Sequence, residues 1–313
     1  MWPAGIYCVF MHTLEHGITN SPLPAPLPVR VNMPGRRAPA GLGALVGVHW
    51  NNRDLIWQMT KREVVGRYRG SILGLAWSFF HPLLMLGVYT FAFAYVFKVG
   101  PGVVGAAKGR GGAMAEFALY AFSGLILLGV FSEVATRSPT VILQNASYVK
   151  KVIFPLEVFP CVQVLAAAIH AGMSLIVLVI ALVVFRQSVP ATILLAPLVV
   201  VPLLLVILGT SWVLAAMGVF LRDVAQAMGV VTMMLMYLCP VFYRLDQIGV
   251  PWIRGLIRVN PLTIPLVNFR RVALDGVGPE WGWLGAYAGG SVLAAWAGFW
   301  FFQRFKRGFA DVL

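Results

Sequence analysis

Six long stretches of this chain contain no Asp, Glu, Lys or Arg: Gly70–Phe97, Phe117–Ser132, Val158–Phe185, Gln187–Leu221, Val224–Tyr243 and Trp281–Gln303. A helix of about 20 mainly apolar residues crosses the hydrocarbon core of a bilayer. Backbone polar groups in lipid must be satisfied within the structure, so each stretch reads as a helix. The expected fold is all-α and polytopic, with six transmembrane helices near residues 71–98, 116–136, 158–185, 192–221, 224–243 and 281–303. Residues 50–310 then form one transmembrane domain behind a Pro-rich leader at 1–49. Met33 offers a second possible start.

Only 11% of the 313 residues are charged and 59% are hydrophobic, against about 25% charged in a soluble domain. Little chain is left for a soluble catalytic unit. The net charge of +13 sits beside apolar stretches rather than on a soluble basic face, which speaks for anionic lipid and against nucleic acid. Cys8, Cys161 and Cys239 are isolated and have no metal-ligand spacing, so they read as small buried side chains.

An even number of spans puts both termini on one side. Arg53, Lys61, Arg62, Arg67 and Arg69 precede the first stretch, Arg137, Lys150 and Lys151 follow the second, and Arg304, Lys306 and Arg307 follow the sixth. The positive-inside rule places these residues and both termini in the cytoplasm.

The opposite loop, 244–280, is nearly as apolar as a span but is broken by Pro251, Pro261 and Pro265. It reads as two short helices that re-enter the outer leaflet, which needs protein or a water-filled cavity beside them. An external gate and a fixed packed cap both fit. The approach to the first span, Leu55–Arg69, is helix-forming with split apolar clusters: Leu55, Ile56 and Met59 on one side, Trp57, Val64 and Tyr68 on the other. It therefore turns near Thr60–Lys61 or packs on two surfaces. Gly66, Gly70 and Gly74 share one helix face, suited to close packing within or between subunits.

Familiar catalytic signatures are absent. No GxxxxGK[ST] loop, HExxH or GxSxG occurs in the sequence. No carboxylate falls near the middle of a stretch, which argues against ion-coupled carriers. His170 lies well inside the third stretch, either for an interhelical hydrogen bond or for gating. Tyr89, Phe93 and Phe97 follow one another at i, i+4, i+8, a stripe that suits either ordinary packing or stacking on sugar rings.

Four segments in order, Asp54–Phe97, Tyr148–Pro160, Phe220–Gln226 (FLRDVAQ) and Asn260–Gly276 (NPLTIPLVNFRRVALDG), resemble the membrane subunit of ABC-2-type polysaccharide exporters. That group moves O-antigen, capsule and teichoic acid polymers. The resemblance implies a homodimer in the bacterial inner membrane, paired with two copies of a separate P-loop ATPase that carries the ATP and Mg, and a lipid-linked glycan as substrate. It implies no cofactor in this chain.

By the same resemblance, Leu55–Arg69 is an interface helix and gate. Arg67, Tyr68 and Arg69 would meet a lipid pyrophosphate, or lipid phosphates in general. Gln144, Asn145, Tyr148, Lys150, Lys151 and Phe154 would carry the coupling helix that docks on the ATPase. Tyr89, Phe93 and Phe97 would line the channel, and Asn260, Pro261, Leu262 and Arg270 would belong to the external gate. A small-amphiphile exporter, a passive channel and a membrane scaffold are the alternatives.

Overall fold

The computed structural model describes residues 41–67, 76–92, 112–151 and 154–313, and these lie in one unit, Arg37–Leu313. All regular structure among them is helical. The helices are α1 (Leu42–Asn51), α2 (Arg53–Arg67), α3 (Trp77–Phe91), α4 (Gly112–Gln144), α5 (Ala146–Lys151), α6 (Val158–Arg186), α7 (Ala196–Phe220), α8 (Val224–Leu238), α9 (Pro251–Val259), α10 (Thr263–Arg270), α11 (Trp281–Phe305) and α12 (Phe309–Val312).

Three helical stretches among the described residues are long and apolar enough to cross a membrane: Gly112–Gln144, Val158–Arg186 and Ala191–Phe220, the last beginning with a 3-10 turn. Val224–Leu238 is a shorter apolar helix. It stops before Cys239–Tyr243, so the fifth expected span is truncated at Pro240, whose missing N–H ends regular helical bonding. The leader expected to run to residue 49 gives way to helix at Leu42. The remainder of the first expected span, beyond Trp77–Phe91 and Ala92, lies outside the described residues.

α4 is the hub and packs on α3, α6, α7 and α8, while α7 lies between α4 and α11. Two glycine pairings set how closely these helices approach. A methyl on Gly298 of α11 would sit 2.7 Å from the Cα of Gly209 of α7, and a methyl on Gly218 of α7 would sit 2.6 Å from the Cα of Pro139 of α4. Small residues let backbones meet where lipid supplies no hydrophobic drive between helices. Among the described residues nothing in the same chain packs on Gly66, where an added methyl would meet open space, so the within-subunit form of the glycine contact is not formed there. Gly70 and Gly74 lie outside the described residues.

A polar knot fixes rotation at the same level. The Ser138 and Ser211 hydroxyls are 2.7 Å apart, and Ser138 donates to Gln163 Oε1 at 3.2 Å. Trp212 is fully buried, donates to the Glu157 carbonyl at 3.2 Å, and meets the Phe299 and His49 rings edge-on. The outward surface of the bundle instead shows Leu83, Val88, Ile180, Val184, Val201, Met233 and Leu293. Apolar surface on that scale is tolerated only against lipid or protein.

α1 and α2 join at Asn52, whose amide donates to the Val48 carbonyl at 2.8 Å. The expected turn at Thr60–Lys61 is absent, because α2 is continuous across it. α2 packs on α6 through one buried face: Ile56, Thr60 and Val64. Val64 therefore sits with Ile56, not on an opposite apolar side. Thr60 belongs to this face because its hydroxyl bonds the Ile56 carbonyl at 2.7 Å and needs no outside partner.

Candidate functional site

A cavity of about 590 Å³ lies between α3, α4 and α6. Trp77, His81 and Tyr89 of α3 form one wall; Phe122 and Ile126 of α4 and Ala171 and Ser174 of α6 form others. Glu133 and His170 also line it. Along α4, Phe122 to Glu133 is a climb of about 17 Å, roughly half the hydrocarbon thickness. The aromatic and small residues give it broad, mostly apolar walls; the charges are concentrated at one end.

That charged end is built by three helices. Arg67, the last residue of α2, donates to Glu133 and lies 2.8 Å from His170 Nδ1. His170 Nδ1 is 3.5 Å from the second Glu133 oxygen. Glu63 joins Arg67 and Arg137 at 3.4 and 3.1 Å. Glu133 and His170 face each other because both sit near the same height. Each lies about 17–18 Å from the α5 turn, measured along α4 to Gln144 and along α6 from Val158. Arg67 Nη2 is buried without a hydrogen-bond partner. His170 thus makes the interhelical contact the sequence allowed, and does so with a cation and a carboxylate. Tyr68 and Arg69 lie outside the described residues.

Of the three aromatic residues expected in a channel, Tyr89 lines this cavity, with the Phe242 ring 5.9 Å away. Phe93 and Phe97 lie outside the described residues.

At the far end of α4, past the charges, comes the short turn of α5. Tyr148, Phe154 and Phe159 cluster with ring centroids 4.9–5.7 Å apart. Tyr148 and Phe154 therefore brace α5 against the start of α6. Asn145 folds back onto the Val141 carbonyl at 2.9 Å, and exposed Gln144 bonds the Thr140 hydroxyl at 3.2 Å. Lys150 and Lys151 belong to α5, but their side chains lie outside the description. Lys306, just after α11, reaches Glu157 at 2.6 Å, and α12 packs on α5.

The opposite end holds the remaining expected residues. Asn260 caps the turn between α9 and α10: its Oδ1 accepts from the Leu262 N–H at 3.0 Å, and its Nδ2 lies 3.3 Å from Cys239 Sγ. Leu262 is buried and Pro261 exposed. Arg270 is 3% exposed. It donates to the carbonyls of Pro240 and Val241 at 2.5 and 2.6 Å, to the Tyr120 carbonyl at 3.0 Å, and to Ser123 Oγ at 3.3 Å. Its guanidinium lies 3.5 Å over the Tyr120 ring. A guanidinium keeps its proton in proteins, so these carbonyls hold a buried cation.

Arg270 thus occupies the carbonyls freed where α8 breaks and ties α10 to α4. A nearby pair, Glu116 with Arg186, is also buried; Arg186 reaches the Leu274 carbonyl as well. That pairing is not legible in local pattern, because 70 residues separate its members.

The ABC-2 type transporter family profile matches residues 54–274. The O-antigen export system permease protein RfbA of Klebsiella pneumoniae is 25% identical over 261 residues, covering 83% of this chain and 95% of that protein. The protein of the same name from Myxococcus xanthus is 26% identical over 268 residues, covering 85% and 98%. The matched region runs from α2 through α10 and carries both the charged cluster and the Arg270 lock, so this chain belongs to the ABC-2 type transporter family of membrane proteins.

Proposed function

We propose that this chain is the transmembrane subunit of an ATP-driven exporter that moves an O-antigen-like, lipid-linked polysaccharide across the bacterial cytoplasmic membrane. The observation that carries the reading is the similarity to O-antigen export permeases along nearly their whole length. In this reading six spans cross the membrane and both termini face the cytoplasm. Two copies of the chain pair with two P-loop ATPase subunits, and the ATP and Mg reside on those subunits.

The α4–α5–α6 turn extends past the charged cluster to meet the ATPase, with Gln144, Asn145, Lys150 and Lys151 at the contact and Tyr148 and Phe154 bracing it. The cavity beside Tyr89 is part of the glycan route, continued by Phe93 and Phe97. α9 and α10 re-enter the outer leaflet as the external gate, with Asn260, Pro261 and Leu262 shaping the turn between them and Arg270 anchoring it. Arg67, Tyr68 and Arg69 stand at the cytoplasmic entrance. The unpartnered Nη2 of Arg67 suits a phosphate oxygen, since guanidinium binds phosphate strongly.

Depleting the chain in its host tests the function. Lipid-linked glycan should accumulate on the cytoplasmic side while synthesis continues, and an inducible copy should restore surface display. Unchanged surface glycan after full depletion would refute the reading. For the entrance, Arg67→Ala alone strands Glu133, so it is paired with Glu133→Gln. The double variant is expected to fold and bind ATPase but to export at least tenfold less. Wild-type export by that variant would remove Arg67 from the substrate path.

A further inference from the structure

The geometry points to a saccharide-binding subsite at the end of the bundle opposite α5, in a cavity of about 170 Å³ beneath α9 and α10. The inference rests on the glycan-export reading and gives it a second contact point, separate from the cavity beside Tyr89.

Three observations carry it. First, Thr263 lines this cavity, is 1% exposed, and its hydroxyl has no hydrogen-bond partner. A buried hydroxyl left unsatisfied is costly, and a ligand hydroxyl would recover that loss. Second, the lining mixes acceptors and donors: Asp246 and Asp275 can only accept, and Arg258 can only donate. Among the described residues no ion pair engages any of these three. Third, the Trp283 ring borders the same space, and an indole face suits the C–H face of a pyranose.

The balance of charge separates a sugar from an anion. Four arginines line the cavity: Arg270 is held by backbone carbonyls, Arg271 by Glu280 and the Gly278 carbonyl, both at 3.2 Å, and Arg244 and Arg258 offset the charges of Asp246 and Asp275. The lining therefore presents carboxylates and guanidiniums side by side, rather than the purely cationic set that suits a phosphate. A polyol hydroxyl donates to a carboxylate and accepts from a guanidinium, so it satisfies both signs at once. The volume lies below the roughly 300–1,000 Å³ of drug-sized pockets. It admits one ring, held as the chain passes, rather than an oligosaccharide.

The test uses the complete transporter, permease with ATPase, in lipid nanodiscs. Saturation-transfer-difference NMR is run with the monosaccharides released by acid hydrolysis of the host's own surface polysaccharide, and with inorganic phosphate as competitor. At least one sugar should bind. Thr263→Val should weaken that binding tenfold or more, and Asp275→Asn should weaken it as well. The thermal stability of Thr263→Val should equal or exceed wild type, because the lost hydroxyl had no partner. Absence of any sugar signal, a signal unchanged in Thr263→Val (binding at the Tyr89 cavity instead), or displacement by phosphate would each overturn the subsite. Surface display by the wild-type chain is scored in parallel. Loss of the subsite with normal display defeats this inference alone, whereas no rescue of display by the wild-type chain defeats the export reading beneath it.

Discussion

Arg270 and Gly124 form a single device. A methyl on Gly124 would lie 2.6 Å from Arg270 Nη2, so only glycine leaves room for the guanidinium to reach Tyr120 and the carbonyls after α8. Arg270→Ala leaves buried carbonyls without donors, at a cost on the order of 3 kcal/mol. Gly124→Ala is expected to destabilise by a comparable amount by displacing the same group. The two changes should therefore be strongly non-additive in a double-mutant cycle read by thermal unfolding in detergent. Full additivity would mean that the glycine serves some other contact. In sequence, Arg270 is legible as a basic residue in an apolar loop and, by the resemblance, as part of an external gate, but not as a buried lock. What places it in the core is a set of carbonyls 29 to 150 residues away, which local pattern does not encode.

At the scale of elements, close approach of α7 to α11 depends on Gly209 and Gly298. Gly298→Ala should force the helices apart and lower the unfolding midpoint by several degrees, in line with overpacking costs of about 1–3 kcal/mol. Gly285→Ala, on the same helix but facing open space, should be neutral or stabilising, since glycine is a poor helix former. Equal effects of the two variants would refute the packing account.

Charge-free stretches located α6 and α11 nearly to the residue, because their ends coincide with Arg186 and with Arg304–Lys306. They underestimated α4. That helix runs through Glu116, Glu133 and Arg137, which partners from other helices, Arg186, Arg67 and Glu63, make tolerable. They overestimated α8, where Pro240 in the apolar run ends the helix. The buried face of α2 is not legible as an apolar stripe because polar Thr60 lies on it between Ile56 and Val64, its hydroxyl satisfied within the helix. Tyr89 was legible as one of an aromatic stripe, whereas its cavity depends on where α4 and α6 stand.

For the whole molecule, the segment after α11 joins the α5 turn to the bundle. Phe309 is fully buried, its ring 5.9 Å from Phe220 and 5.5 Å from Phe302, while Lys306 holds Glu157. Removing residues 306–313 should speed amide exchange several-fold across 146–160 and leave the first turns of α11 unchanged, as mass spectrometry of exchanged peptides would show. Exchange that stays slow across 146–160 would mean that α5 is held by its aromatic cluster alone.

If a membrane subunit without a nucleotide loop of its own moves glycan by means of a separate motor, motor and glycan should both stay bound to it. Mild-detergent extraction of the tagged chain from its host, followed by mass spectrometry of everything that remains bound, tests this most directly. The expected result is a P-loop ATPase in equal amount to the permease, together with polyprenyl-linked sugar. A folded, dimeric preparation that retains neither ATPase nor glycan would contradict it.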